Sequence, residues 1–114
     1  MVKREVIGAH YGWRDWLAQR ITAVIMLLYT LYFLAVLVSL PAIDYAHWRA
    51  LWDLSIMRFA TMIFVLAMAY HAWVGVRNIF MDYIKHTGAR LVLYVLVIIA
   101  LVVYGVWALQ ILWG

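Results

Sequence analysis

Three long apolar stretches, separated by short polar segments, dominate this chain of 114 residues. Asp, Glu, Lys and Arg are absent from residues 21–43, 59–76 and 91–114. A helix needs about 20 mostly apolar residues to cross the hydrocarbon core of a bilayer. The pattern therefore predicts three membrane-spanning helices, near residues 18–40, 57–81 and 89–112.

The polar segments predict how the spans are joined. Pro41 should end the first span, because proline cannot continue the hydrogen-bond ladder of a helix. Residues 42–55 place aromatic and charged side chains at helical spacing, which predicts a short amphipathic helix at the membrane surface. Residues 85–88 form the second turn, and residues 1–16 an interfacial lead-in. We therefore expect residues 1–114 to form a single all-α integral membrane domain.

Composition excludes most other classes of protein. The chain is 70% hydrophobic and 12% charged, whereas an ordinary soluble domain is about 45–50% apolar and about 25% charged. Three spans leave no room for a soluble catalytic domain or a nucleotide-binding fold. The chain has no cysteine, which excludes disulfides and cysteine-ligated iron–sulfur clusters within it.

The cations are distributed asymmetrically and predict a topology rather than a nucleic-acid site. Two of them lie in the first loop, and seven lie before the first span or around the second turn: Arg49 and Arg58 against Lys3, Arg4, Arg14, Arg20, Arg77, Lys85 and Arg90. Positively charged residues favour the cytoplasmic side. We therefore expect a cytoplasmic N-terminus and a periplasmic C-terminus in a bacterial inner membrane. No carboxylate lies inside a span, which argues against a proton-coupled transporter.

His71 is the ionisable residue of the second uncharged stretch and the strongest candidate for chemistry. Such groups are costly at membrane depth and usually mark a site. One interpretation is a neutral imidazole bonded to a neighbouring helix, and another is an axial ligand of haem iron. Ala67 and Gly75 flank it, which suits either a flat macrocycle or close helix packing. No other span contains a histidine, so a second histidine ligand would come from another chain.

Asp82 and Tyr83 follow at the predicted cytoplasmic end of the same helix. Eleven residues separate His71 from Asp82, so both lie on one face and roughly 16 Å apart along the axis. A tyrosine hydroxyl there can donate a hydrogen bond to a quinone carbonyl, with the carboxylate beside it. The alternative is an interfacial tyrosine and a solvated aspartate paired with Lys85. Arg20, on the same side, can bind an anion such as a haem propionate or serve topology alone.

The segment from His71 to Tyr83, His-Ala-Trp-Val-Gly-Val-Arg-Asn-Ile-Phe-Met-Asp-Tyr, closely resembles the small hydrophobic membrane-anchor subunits of bacterial succinate dehydrogenase (respiratory Complex II). The lead into the first span, Asp-Trp-Leu-Ala-Gln-Arg-Ile-Thr-Ala, and the turn after Tyr83 are also similar. The His-to-Asp-Tyr element is fairly specific, and the remaining similarity is general anchor character.

The resemblance implies a role for each candidate residue. His71 would be an axial ligand of haem b, shared with the partner cytochrome b anchor in a heterodimeric helical anchor. Tyr83, with Asp82 beside it, would bind ubiquinone, and Arg20 would lie near the haem propionates. The flavoprotein and iron–sulfur subunits would dock on the cytoplasmic face and oxidise succinate, which this chain itself would not do.

Two alternatives remain at this point. The chain could be the haem b anchor of a fumarate reductase or of another membrane dehydrogenase. It could also be a haem-free structural anchor in which His71 only packs between helices.

Overall fold

The computed structural model describes the backbone of residues 7–114 and the side chains of residues 13–114. Predictions on residues 1–6, including the cations Lys3 and Arg4, lie outside the described residues. Four α-helices form the described chain: α1 (Ile7–Ser39), α2 (Tyr45–Asp53), α3 (Ser55–Tyr83) and α4 (Thr87–Trp113). Three segments are long and apolar enough to span a membrane, namely Trp13–Ser39, Ser55–Tyr83 and Thr87–Trp113. The predicted all-helical fold with three spans is confirmed.

The largest difference from the prediction is the start of the first helix. α1 begins at Ile7 rather than near residue 18. The prediction stopped at the first charges, but a helix can continue beyond the apolar core where its polar residues find partners. Asp15 forms such a contact, an ion pair with Arg77 of α3. The other end behaves as expected, since α1 ends at Ser39, two residues before Pro41.

α3 is the central helix and packs against α1, α2 and α4. Very few of the described residues are buried within the chain, namely Thr22, Leu51, Met57, Ala67 and Val74. α4 has no buried residue in its whole length. Because the exposed helix faces are apolar, they need lipid or the helices of a partner around them.

Aromatic contacts join the helices at two levels. Tyr29 of α1 stacks on Phe64 of α3 with ring centroids 4.6 Å apart, and its hydroxyl lies 2.5 Å from Thr61 Oγ1. On the other side of α3, Trp73 packs edge-on against Tyr94 of α4 at 5.6 Å. Trp73 therefore serves the packing of α3 on α4.

α2 begins with a side-chain cap that makes it sensitive to pH. The Asp44 carboxylate accepts hydrogen bonds from the backbone N–H of His47 at 2.9 Å and from its Nδ1 at 2.7 Å. The backbone bond first, and then the side-chain bond, hold the pKa of Asp44 below its ordinary value. A carboxylate whose pKa falls on folding stabilises the folded form above about pH 4, and this contribution is lost as the pH falls through the folded pKa.

Below about pH 4, α2 is therefore expected to fray at its first turn. Hydrogen–deuterium exchange of residues 45–53, normalised to intrinsic exchange rates, should show protection falling with pH. Asp44→Asn is the matched control, since asparagine also caps helices but does not titrate. Equal loss of protection in this variant would show that the cap is not the cause.

Candidate functional site

His71 is bound to the neighbouring span through one of its two ring nitrogens. It lies in the middle of α3, and its Nδ1 is 3.0 Å from the Oγ1 of Thr22 in α1. Thr22 is 8% exposed and is one of the few buried residues of the chain. The two residues occupy a similar depth in antiparallel helices, and each is a polar residue inside an apolar run.

The hydrogen bonds of Thr22 indicate the tautomer of His71. The Thr22 hydroxyl donates its single proton to the carbonyl of Ala18 at 2.7 Å, as serine and threonine often do within helices. The carbonyl of Gln19 is a second acceptor for the same hydroxyl at 3.2 Å. With the proton on either carbonyl, Thr22 Oγ1 accepts from His71 Nδ1–H, so this arrangement favours the tautomer with its lone pair on Nε2.

A cavity of about 490 Å³ lies beside this pair, between α1 and α3. Its lining residues come from both helices: Asp15, Trp16, Gln19, Arg20, Ala23, His71 and Asn78. The structure thus brings together two of the predicted site residues, His71 and Arg20. Within residues 13–114, no three His, Cys, Asp or Glu side chains cluster as a metal site, so any metal held at this cavity needs ligands beyond the single histidine.

The polar wall of the cavity was missed in the sequence analysis. Asp15 pairs with Arg77, which fixes the start of α1 against α3. Gln19 lies opposite Gly75, where an added Cβ would be 3.8 Å from the amide nitrogen of Gln19. A Cβ at this distance makes an ordinary van der Waals contact, so an alanine would also fit where α1 packs on α3. Gln19 Oε1 is buried and has no hydrogen-bond partner among the described residues.

Arg20 lies at the mouth of this cavity and is itself exposed. Its guanidinium is 5.4 Å from the ring centroid of Trp16, one turn earlier in α1. Stacking on an aromatic ring orients a guanidinium and leaves its edge free to donate hydrogen bonds. An anion entering the cavity would meet this edge.

Asp82 and Tyr83 lie outside the cavity, at the last turn of α3. Tyr83 is 78% exposed, and Asp82 is also exposed. Asp82 makes no ion pair with Lys85 within the described part of the chain, so the predicted surface pairing does not form. Both side chains are therefore available to a partner chain or a ligand, on the end of the bundle to which the Asp15–Arg77 pair also belongs.

His86, in the turn between α3 and α4, caps α4. Its Nδ1 accepts a hydrogen bond from the backbone N–H of Ala89 at 3.0 Å. A histidine nitrogen thus replaces the oxygen that usually caps a helix N-terminus. This capping contact accounts for the presence of His86 in the turn, and no chemical role is needed to explain it.

Comparison with known proteins is consistent with this geometry. The chain matches the family described as succinate dehydrogenase/fumarate reductase transmembrane subunit over residues 2–107. It is also 41% identical, over 102 residues, to the succinate dehydrogenase hydrophobic membrane anchor subunit of Coxiella burnetii (strain RSA 493 / Nine Mile phase I). That alignment covers 90% of this chain and 89% of the relative. With three membrane-spanning helices as well, the chain belongs to the succinate dehydrogenase/fumarate reductase transmembrane subunit family.

Proposed function

We propose that this chain is the cytochrome b anchor of a bacterial succinate:ubiquinone oxidoreductase. As a multi-pass membrane anchor subunit of succinate dehydrogenase, it works with the other subunits of that enzyme. In this proposal the chain shares haem b with the partner cytochrome b anchor and contributes to the ubiquinone site. The chain also binds the iron–sulfur and flavoprotein subunits in the bacterial inner membrane.

The observation that carries the haem proposal is the hydrogen bond between His71 Nδ1 and Thr22 Oγ1. Histidines that ligate metals usually donate their other N–H to an oxygen, which fixes the ring and the tautomer. The free Nε2 of His71 is then a suitable ligand atom, and the adjacent cavity opens to one side of the chain. His71 would hold the haem iron through Nε2 and Arg20 would bind a propionate, and a second ligand would come from the partner anchor.

Bound there, haem b would supply a one-electron carrier within the membrane. Each residue of this chain has a separate task. Thr22 holds the imidazole of His71 in one orientation and raises its basicity. Arg20 offers guanidinium donors to a carboxylate at the cavity mouth.

The quinone proposal rests on the exposure of Tyr83 and Asp82 at one end of α3. The hydroxyl of Tyr83 would donate a hydrogen bond to a ubiquinone carbonyl as negative charge develops on that oxygen during reduction. Asp82 would exchange protons with solvent beside it. Because both side chains are exposed in this chain, the pocket would be completed by the other proteins of the complex.

Purification of the tagged chain from its native membrane in mild detergent tests the proposal. We expect a second membrane anchor, an iron–sulfur protein and a flavoprotein to co-purify, with b-type haem and succinate-dependent ubiquinone reduction. Co-purification of these proteins without haem would support a haem-free anchor, in which the contact with Thr22 is only helix packing. Fumarate reduction as the principal activity would support the fumarate reductase alternative.

A further inference from the structure

The two arginines of the first loop are the cations that the topology rule does not explain. Arg49 and Arg58 lie on the side of the membrane that should be poor in positive charge. In the folded chain they line one cavity of about 500 Å³ between α2, the start of α3 and the end of α4. This cavity lies at the opposite end of the bundle from Asp82 and Tyr83.

Arg58 has unused hydrogen-bond donors in this cavity. One terminal nitrogen donates to the carbonyl of Trp52 at 3.2 Å, and the other is 3.5 Å from Ser55 Oγ. Its Nε is shielded from solvent and has no partner among the described residues. A guanidinium carries five N–H donors, so one N–H on each terminal nitrogen remains for an anion.

Arg49 adds a second positive charge with no competing partner. It is exposed and forms no ion pair with any carboxylate in the described part of the chain. Asp53 and Gly114, the last residue of the sequence, also line the cavity. An anion is therefore favoured beside the two arginines rather than by the overall charge of the cavity.

Aromatic side chains place the cavity at the membrane–water interface. Its walls include Trp48, Trp52 and Trp113, and indole rings concentrate at the level of lipid headgroups. The Arg58 guanidinium lies 5.9 Å from the ring centroid of Trp113. A ligand here would meet cations on its polar side and indole rings on its apolar side.

We propose that this cavity binds the headgroup of an anionic phospholipid, with the phosphate between Arg49 and Arg58. Arginine binds phosphate through paired N–H donors, and the indole rings of this cavity favour the depth of the lipid headgroups. The tryptophans contact the glycerol region and the first part of the acyl chains. The cavity separates α2 from the end of α4, and the bound lipid thereby connects these two helices.

The test uses the intact complex purified through this chain and reconstituted in phosphatidylcholine bilayers with or without phosphatidylglycerol. After mild re-extraction, mass spectrometry counts the lipid retained per protein. We expect the native complex to retain phosphatidylglycerol in preference to phosphatidylcholine. Arg58→Gln should lower this retention about tenfold, because a charge-assisted paired contact is lost. Arg49→Gln should lower it less strongly but clearly.

Arg90→Gln, which removes the same charge at the other end of the bundle, is the matched control and should leave retention unchanged. An equal loss in Arg90→Gln, or equal retention of phosphatidylcholine, would overturn the proposal in favour of general surface electrostatics. Displacement of the lipid by millimolar inorganic phosphate would identify a free-phosphate site and would also overturn it. If Arg58→Gln fails to assemble, Arg49→Gln decides, because Arg49 makes no hydrogen bond or ion pair with other described residues.

Discussion

A complex that carries Tyr83→Phe is expected to reduce ubiquinone about ten- to a hundredfold more slowly than the native complex. The substitution removes one hydroxyl and leaves the ring. Tyr83 is the last residue of α3 and is 78% exposed, so its loss of a hydroxyl should not disturb packing. Tyr83→Phe should therefore change the interaction with ubiquinone and leave the fold unchanged.

The size of the effect follows from the charge that develops during the reaction. Reduction places negative charge on a quinone oxygen, and a donor aimed at such an oxygen is worth more in the transition state than in the ground state. Most of the loss should appear in kcat. A smaller change should appear in KM, because one hydrogen bond contributes modestly to the binding of a large apolar substrate.

Succinate-dependent reduction of a soluble dye, which takes electrons before they reach the membrane, is the control for Tyr83→Phe. This activity and the haem content should match those of the native complex. Unchanged ubiquinone kinetics would remove Tyr83 from the quinone site. Asp82→Asn, placed one residue earlier, should slow the same reaction, because an amide cannot relay a proton as a carboxylate does.

Thr22→Val is expected to weaken haem binding by about ten- to a hundredfold, although Thr22 itself would not touch the iron. Valine has nearly the shape of threonine but cannot accept the hydrogen bond from His71 Nδ1, which spans 3.0 Å in the native chain. The imidazole loses its fixed orientation and part of its basicity. A less basic ligand stabilises ferric iron less well, so the midpoint potential should rise.

Thr22→Ser retains the hydroxyl and is the matched control for this variant. Haem release to apomyoglobin and a redox titration of the visible spectrum measure the two effects. Rapid haem loss from Thr22→Val with retention in Thr22→Ser would support the proposed tautomer. Native release rates and potential in Thr22→Val would show that the contact only packs α1 against α3.

The three membrane-spanning helices could be predicted from the sequence alone, because a helix that crosses a bilayer must be long and mostly apolar. The sequence also identified the end of α1 at Pro41 and the short surface helix α2, since proline and aromatic spacing act locally. Among the described residues, α1 extends beyond the predicted span as far as Ile7. An ion pair within this extension joins residues 62 positions apart, and such a contact leaves no local pattern.

In the candidate site, too, some residues could be predicted from the sequence and others could not. His71 stands out in the sequence because ionisable groups are rare at membrane depth. Thr22 does not, because a hydroxyl is common in membrane helices, and only the packing of α1 on α3 gives it a partner. Gly75 was correctly noted as small, yet its contact with Gln19 depends on the register of two helices that the sequence does not specify.

A reduced-minus-oxidised visible spectrum shows whether His71 is an axial ligand of a b-type haem. The purified native complex should be compared with the complex that carries His71→Ala, at equal content of the partner proteins. We expect a sharp b-type α band in the native complex and its loss in the variant. An unchanged band in His71→Ala would contradict axial ligation and reduce His71 to a residue that packs between helices.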